Sequence, residues 1–316
     1  SEYAPAIYFA DKRYMLPRIS SPNYIDEIIN VCIKENIKLI VPTIDTDLLL
    51  LSQQRERIFE ASGAIVLVSS EDVISICRDK TLTQEYLEAN GYHVPKLYKR
   101  EEIEKENLSY PLFIKPKSGS SSKGTYKVNN ADELDLYLKI IKEPMLQDYM
   151  EGEEYTVDVF LDFSSKVISI VPRLRMEVRT GEISKGRIVK DSLIIGDVNR
   201  LMNVLRPIGH ITVQLMKTSK GIEYIEINPR FGGGAPMSIQ AGANSCENLY
   251  RLLMNEKLEY SDNYNDQLVF LRYDQSIIIK NGELYRTCAP IGVVRGPCNH
   301  NPPHTDPVYQ VGPVSA

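Results

Sequence analysis

Apolar residues in this chain follow two different rhythms, and each predicts its own architecture. In PNYIDEIINVCIKE (22–35) the apolar Ile25, Ile28, Ile29 and Cys32 recur on one helix face. IKLIVPT (37–43) is a continuous apolar run and predicts a short buried strand. A helix is expected from about Asp45 to Ala61, ending before Gly63, and AIVLVS (64–69) is the next strand. Ser70 caps a short helix with Glu71 and Asp72 in its first turn. Alternating strand and helix imply a parallel, Rossmann-like sheet. Only half such a unit is present, and it contains no G-x-G-x-x-G, so no dinucleotide site is expected there.

From Asp79 the rhythm changes. A helix, DKTLTQEYLEAN, closes at Gly91. Strands are then predicted at 110–116 and 124–128, a helix at 131–142, and strands at 145–149, 154–163 and 166–173. A charged loop leads to a helix at about 192–206. A strand pair, 210–217 and 222–228, precedes a glycine patch and two helices reaching about Asn255. Beyond Gln275 the chain is Pro-rich and predicts an irregular tail.

Bulk composition narrows this picture a little. The 316 residues suffice for two or three packed units. Hydrophobic content of 43% and charged content of 25% are ordinary for a globular chain, and a net charge of −5 gives no support to a nucleic-acid surface. No apolar run approaches the roughly 20 residues that span a bilayer. Five scattered cysteines, without metal-ligand spacing, fit a reducing cytoplasm. The four histidines form no zinc motif. The chain starts at Ser1, and its first residues do not read as an opening strand, so a first strand–helix unit is expected to be missing.

Three segments carry candidate chemistry. In YPLFIKPKSGSSSKGTYKV (110–128) a strand enters a serine–glycine loop and leaves as another strand, with Lys115, Lys117 and Lys123 around it. Small residues let backbone N–H groups approach phosphate oxygens. Taken alone, the segment fits either a phosphate clamp or a plain hairpin with a loose tip. HITVQLMKTSKGIEYIEINPR (210–230) reads as a hairpin. A three-residue loop, Ser219 to Gly221, puts Gln214 opposite Glu226. Gln214, Glu226 and Asn228 then share a face, with Ile225 and Ile227 in the core beside Val213 and Leu215. Such an oxygen row suits Mg²⁺, and Arg230 can meet a transferring phosphoryl group. A solvated strand face is the alternative. PRLRMEVRTGEISKGR (172–187) supplies Arg173, Arg175, Arg179, Lys185 and Arg187, which suit carboxylate recognition or simply a charged surface. Gly232 to Gly234 either line an acceptor side or permit a tight turn.

Together these motifs resemble the ATP-grasp superfamily, in particular ligases like the large subunit of carbamoyl-phosphate synthase. EINPRFGGG (226–234) looks like the E-x-N-x-R metal and phosphate segment, and Gln214 falls at the other metal position. The resemblance, over about residues 1–255, implies an α/β (α+β) fold in four parts. These are a partial Rossmann-like pre-ATP-grasp domain (1–78), a lid subdomain (79–150), an ATP-grasp core (151–275) and a tail (276–316). It implies ATP and Mg²⁺ as cofactors, with Mn²⁺ as an alternative. Lys80, Lys115, Lys117, Ser120, Ser121 and Ser122 are the implied phosphate contacts. MLQDYMEGEEYTVDV (145–159) resembles the hinge, where the backbone of Gln147, Asp148, Tyr149 and Met150 meets adenine and Glu154 meets ribose. Lys80, Asn228 and Arg230 take catalytic roles. Arg173, Arg175, Ser184 and Lys185 face the acid. Ser184 stands where bicarbonate-handling synthases carry histidine.

The expected function is an ATP- and Mg²⁺-dependent carboxylate–amine ligase working through an acyl phosphate. The alternatives are a carboxyphosphate- or carbamoyl-phosphate-forming enzyme and a non-catalytic nucleotide-binding subunit. The expected partners are a small carboxylate and an amine, with a homodimer allowed and neither nucleic acid nor membrane involved.

Overall fold

A computed structural model of the chain describes residues 3–99, 102–103, 108–117, 124–179 and 181–287. They fall into two units, Tyr14–Tyr273 and a smaller one joining Ser1–Arg13 to the segment from Asp274.

In the large unit the first layer holds α1 (Tyr24–Glu35), β1 (Leu39–Ile40), α2 (Asp45–Ser62), β2 (Ile65–Val66) and α3 (Glu71–Arg78). β1 and β2 pair in parallel, Leu39 with Ile65 and Ile40 with Val66. The apolar face of α1 (Ile25, Ile28, Ile29, Cys32) packs on Leu48, Leu51 and Ile58 of α2 and on Val66. Asn36 and Gly63 end α1 and α2 in left-handed geometry.

α4 (Lys80–Ala89) then leads into a second sheet. Its strands are β3 (Leu97–Tyr98), β4 (Leu112–Pro116), β5 (Tyr126–Val128) and, after α5 (Ala131–Ile140), β6 (Pro144–Asp148). The spatial order is β3-β6-β4-β5, all antiparallel. Leu112, Ile114, Val128 and Leu146 pack beneath Leu134 of α5. Strand alternation sends Phe113, Lys115, Met145 and Gln147 to the opposite face, since Phe113 pairs with Gln147 and Lys115 with Met145.

The third layer is a six-stranded antiparallel sheet in the order β11-β10-β7-β8-β9-β12. The strands are β7 (Gly152–Leu161), β8 (Val167–Arg179), β9 (Glu182–Ile188), β10 (Gly209–Thr218), β11 (Gly221–Asn228) and β12 (Val269–Leu271). Three helices accompany them: α6 (Ser192–Leu205), α7 (Ala235–Ala241) and α8 (Ser245–Leu253). One sheet face is wholly apolar: Tyr155, Val157, Val159, Leu161, Ile211, Val213 and Leu215 pack on Ile194, Val198, Leu201, Met202 and Leu205 of α6. Burying a side chain of this kind contributes about 1.5–3 kcal/mol, which makes this layer the main core. Asp191 caps α6 by accepting from Leu193 N and Ile194 N. The opposite face of the same strands carries the polar residues considered below.

The small unit corrects one expectation. The tail was to be irregular from 276, yet β13 (Ile277–Lys280) and β14 (Glu283–Thr287) pair as an antiparallel hairpin. The turn between them is Asn281–Gly282, with φ of 53° and 79°, and Asn-Gly is the dipeptide that tight hairpins favour. Arg13 donates to Gly282 O at 2.9 Å within this unit. No helix among the described residues is long and apolar enough to cross a membrane.

Candidate nucleotide and metal site

The β10–β11 hairpin reaches the expected pairing by an unexpected route. Thr218 pairs with Gly221, so the turn has two residues, Ser219 and Lys220, rather than three. That turn alone would set Gln214 opposite Ile225. A bulge at Ile225 absorbs the extra residue: Leu215 pairs with Tyr224, and Gln214 pairs with Glu226 after all. Tyr224 and Ile227, three apart, therefore both lie on the apolar face at 1% exposure. Ile225, expected in the core, is only half-buried.

Cross-strand partners share a face, so a polar row crosses the sheet. Glu226 pairs with Gln214, Gln214 with Thr156, and Thr156 with Arg173. Asn228, opposite Thr212, donates to Glu226 Oε1 at 3.0 Å. The Gln214 amide donates to Glu154 Oε1. Arg175 Nε lies 3.1 Å from the same oxygen, and Arg175 Nη1 donates to Thr156 at 3.2 Å. Glu154, expected at a ribose, thus ties Gln214 to Arg175. Among the described residues no three His, Cys, Asp or Glu side chains cluster to hold a metal. Gln214, Glu226 and Asn228 offer one carboxylate and two amide oxygens. That hard, incomplete set fits Mg²⁺, which is held by one or two carboxylates and completes its shell with water and phosphate.

The cationic side is assembled from two other elements. Asp79 caps α4, its carboxylate accepting from Thr81 N at 2.8 Å and Leu82 N at 3.2 Å, and Lys80 is the first residue of that helix. Lys80 Nζ donates to Pro116 O at 3.3 Å, bringing α4 to the end of β4. Lys115, 8% exposed, is pulled from 10.5 to about 8 by burial and by the charge of Lys80, with Glu226 opposing. Lys80 is likewise lowered by burial against the same carboxylate. Lys115 therefore feels the charges of Lys80 and Glu226, and Lys80 that of Glu226, across three elements. Lys117 Nζ lies 3.7 Å from Asp79. Ser120, Ser121 and Ser122 lie outside the described residues.

Of the four expected hinge residues, two are already engaged through their backbones. Gln147 and Asp148 belong to β6, which is paired on both sides, and Asp148 N donates to Lys96 O at 3.0 Å. Tyr149 and Met150 form the link to β7 and carry no strand partner. The Gln147 side chain, 2% exposed, leaves its Oε1 without a partner.

The acid-facing set does not come together as expected. Arg173 is 1% exposed and already paired: Nε and Nη2 donate to Asp158 at 2.7 and 2.9 Å. Ser238 also donates to Asp158, and His210 Nε2 lies 3.5 Å away. Burial alone would raise the Asp158 carboxyl; Arg173 and His210 overcome it and hold it well below the carboxylate range. Arg173 is thus a structural ion pair beneath the surface, and Arg175 is the arginine left nearer the row. Ser184 donates to Glu177 at 3.0 Å and Lys185 pairs with Glu177 at 2.6 Å, at the far ends of β8 and β9.

The glycine patch lies against this polar face, and its last residue against the buried pair. A Cβ on Gly234 would sit 2.2 Å from Arg173 Nη1, one on Gly232 would sit 2.8 Å from Thr212, and one on Gly233 would sit 2.3 Å from Glu182. The turn rests on the polar face at Gly232 and Gly234, with little room for side chains there, whereas exposed Gly233 meets only the end of the exposed Glu182 side chain. Arg230 adds the remaining charge. Its Nε and Nη2 donate to Asp45 at 2.9 and 2.6 Å, and Nη2 is 3.4 Å from Asn228 Oδ1. Sequence reasoning missed Asp45 because an acid in a first helical turn looks like helix stabilisation. It missed Asp158 too, although an aspartate inside YTVDVFL was a visible signal.

Comparison with known proteins adds the following. The family model described as the ATP-grasp domain matches residues 77–234, half of the chain, and that of the PylC-like N-terminal domain matches residues 1–67. A D-alanine–D-alanine ligase of Fusobacterium nucleatum is 35% identical over 113 residues, 35% of this chain and 36% of that protein. The chain spans only about a third to a half of the length of the curated relatives it matches. Among solved structures, N5-carboxyaminoimidazole synthetase from Staphylococcus aureus, complexed with ADP, aligns with a TM-score of 0.67 at 19% identity, covering 86% of this chain and 71% of that one. The biotin carboxylase domain of Hydrogenobacter thermophilus 2-oxoglutarate carboxylase, in complex with MgADP and bicarbonate, aligns at 0.65 and 18%, covering 85% and 65%. At these identities the structures speak for the fold alone.

Proposed function

The chain belongs to the ATP-grasp family, and from that premise we propose that it is an ATP- and Mg²⁺-dependent ligase joining a carboxylate to an amine through an acyl phosphate. The observation that carries this reading is the grouping of buried Lys115 and half-buried Lys80 within reach of the charge of Glu226, beside Asn228 and Gln214.

The chemistry follows from charge. A carboxylate is a poor electrophile. One of its oxygens attacks the γ-phosphorus of ATP, the bond to the β-phosphate oxygen breaks, and ADP leaves. The amine nitrogen then attacks the acyl carbon, the C–O bond breaks, inorganic phosphate departs with the electron pair, and the amine gives up a proton. Lys80 and Lys115 bind and orient the phosphates, and Arg230 meets the oxygens between which the phosphoryl group passes. Glu226, Asn228 and Gln214 would hold Mg²⁺, which neutralises charge on the phosphates. Buried Gln147 Oε1 is an acceptor of the kind an adenine amino group satisfies.

A panel of carboxylic acids with hydroxylamine as the amine tests this reading. The right acid should release ADP and yield a hydroxamate. Release driven by bicarbonate alone, with no response to any carboxylic acid, would replace it by the carboxyphosphate reading. Nucleotide binding without turnover on any acid would replace it by the non-catalytic one.

A further inference from the structure

Gln214 is an amide in the proposed metal set, and an amide has two unlike ends. Its oxygen accepts and can meet a cation; its nitrogen carries two donors and repels one. Which end faces the metal position depends on what holds the other. The structure supplies that hold. Gln214 Nε2 donates to Glu154 Oε1, and the reverse orientation would set two acceptors against each other. The oxygen end is thereby left to the row that Gln214 shares with Glu226, its cross-strand partner. Asn228 is anchored in the same way, its amide nitrogen donating to Glu226 Oε1 at 3.0 Å. The difference is that Glu226 belongs to the proposed ligand set, whereas Glu154 stands outside it.

Glu154 is held in its turn. The Arg175 side chain, 9% exposed, brings Nε to 3.1 Å from the same Glu154 oxygen, an ion-pair contact without hydrogen-bond alignment. Its guanidinium is fixed at the two other nitrogens: Nη1 donates to Thr156 at 3.2 Å and Nη2 to Gly181 O at 3.0 Å. Thr156 faces Gln214 across the β7–β10 pair, so the anchor and the amide share one stretch of sheet. A cation tied at both tips and set against one carboxylate oxygen restricts that carboxylate to one orientation.

Resting on the ligase reading above, we propose that Glu154 and Arg175 are positioning residues of the metal site: Glu154 turns the oxygen end of Gln214 toward Mg²⁺, and Arg175 holds Glu154 where it can do so. This role is separate from the ribose contact expected of Glu154.

The test titrates Mn²⁺, a paramagnetic probe, into the whole chain saturated with a non-hydrolysable ATP analogue and follows it by electron paramagnetic resonance. Glu154→Gln, which keeps shape and removes charge, should raise the Mn²⁺ dissociation constant about 10–100-fold, as loss of an outer partner of a metal ligand does. Arg175→Lys keeps the charge but cannot hold Thr156, Gly181 and Glu154 together, and should raise it about tenfold. Gln214→Glu supplies the control, because a carboxylate has no donor end to misdirect. In that background neither change should weaken Mn²⁺ binding by more than about twofold. Any effect of Glu154 on the ribose is common to both backgrounds and cancels from the comparison. Equal losses in the two backgrounds would assign Glu154 and Arg175 to the nucleotide or the fold and overturn the proposal. Wild-type Mn²⁺ affinity in Glu154→Gln or in Arg175→Lys overturns it too. These titrations need no turnover, so either result leaves the ligase reading standing. A wild-type chain that adds nothing to the Mn²⁺ affinity of the analogue itself removes the metal from that reading, and the proposal with it.

Discussion

Lys115 concentrates the electrostatics of the site in one side chain. Its ammonium is lowered from 10.5 to about 8, so between those values the unfolded chain holds more protons than the folded one. The contribution of this group to stability therefore rises with pH through that window. Nucleotide affinity should move the other way, because the charge that attracts phosphate is lost above pH 8. Calorimetric titrations with an ATP analogue at about pH 8.5, in buffers of different ionisation enthalpy, should show proton uptake on binding; equal apparent enthalpies would contradict it. Glu226→Ala should lower MgATP turnover by roughly a hundredfold or more while the unfolding midpoint barely moves, because this half-buried carboxylate serves a ligand rather than the core. Arg173→Ala should do the reverse. It leaves Asp158 as a buried uncompensated charge and should cost about 3–5 kcal/mol in urea unfolding. A variant of wild-type stability with a raised KM for the acid would restore Arg173 to the substrate surface.

At the scale of elements, local pattern was legible where one strand or helix reported on itself. The helix over Ser192–Leu205, the helix opening at Asp79 and the alternation of β10 could all be read in advance, because periodicity is a property of adjacent residues. The pairing of Gln214 with Glu226 was also anticipated, but for the wrong turn. Nothing in SKGIEYIEIN distinguishes a three-residue loop from a two-residue turn corrected by a bulge, since both set Gln214 opposite Glu226 and differ only between the turn and the bulge. The Asn281–Gly282 hairpin was legible and passed over, masked by the proline-rich residues after it. The partners of Arg173 and Arg230 were missed for another reason: Asp158 and Asp45 are 15 and 185 residues away and belong to other elements. The glycine turn shows the same limit, because its crowding comes from Thr212, Glu182 and Arg173. Gly234→Ala should therefore destabilise markedly despite adding one methyl group, as its Cβ would meet Arg173 Nη1 at 2.2 Å. Thermal unfolding of Gly234→Ala beside Gly196→Ala, whose Cβ meets nothing within 4 Å, makes the comparison.

Over the whole molecule, a ligand held by the second and third layers together should stabilise the fold. At a hundred times its dissociation constant, MgATP is expected to add about 2.7 kcal/mol, a rise of roughly 5–10 °C in Tm. Scanning fluorimetry should register most of that rise with Mg²⁺ and much less with EDTA; an identical shift in both would remove the metal from nucleotide binding. The six-stranded sheet carries one more implication. Its strands set Val213 and Leu215 against α6 and Gln214 toward the polar row, so neighbouring letters of the chain answer to different demands. In a saturation scan that scores cellular abundance and turnover separately, β10 should split into two interleaved messages. Positions 211, 213 and 215 would tolerate exchange among aliphatic residues and lose abundance with polar ones. Position 214 would keep its abundance and fail on turnover. Such a strand can change its chemistry one residue at a time without renegotiating its foundations.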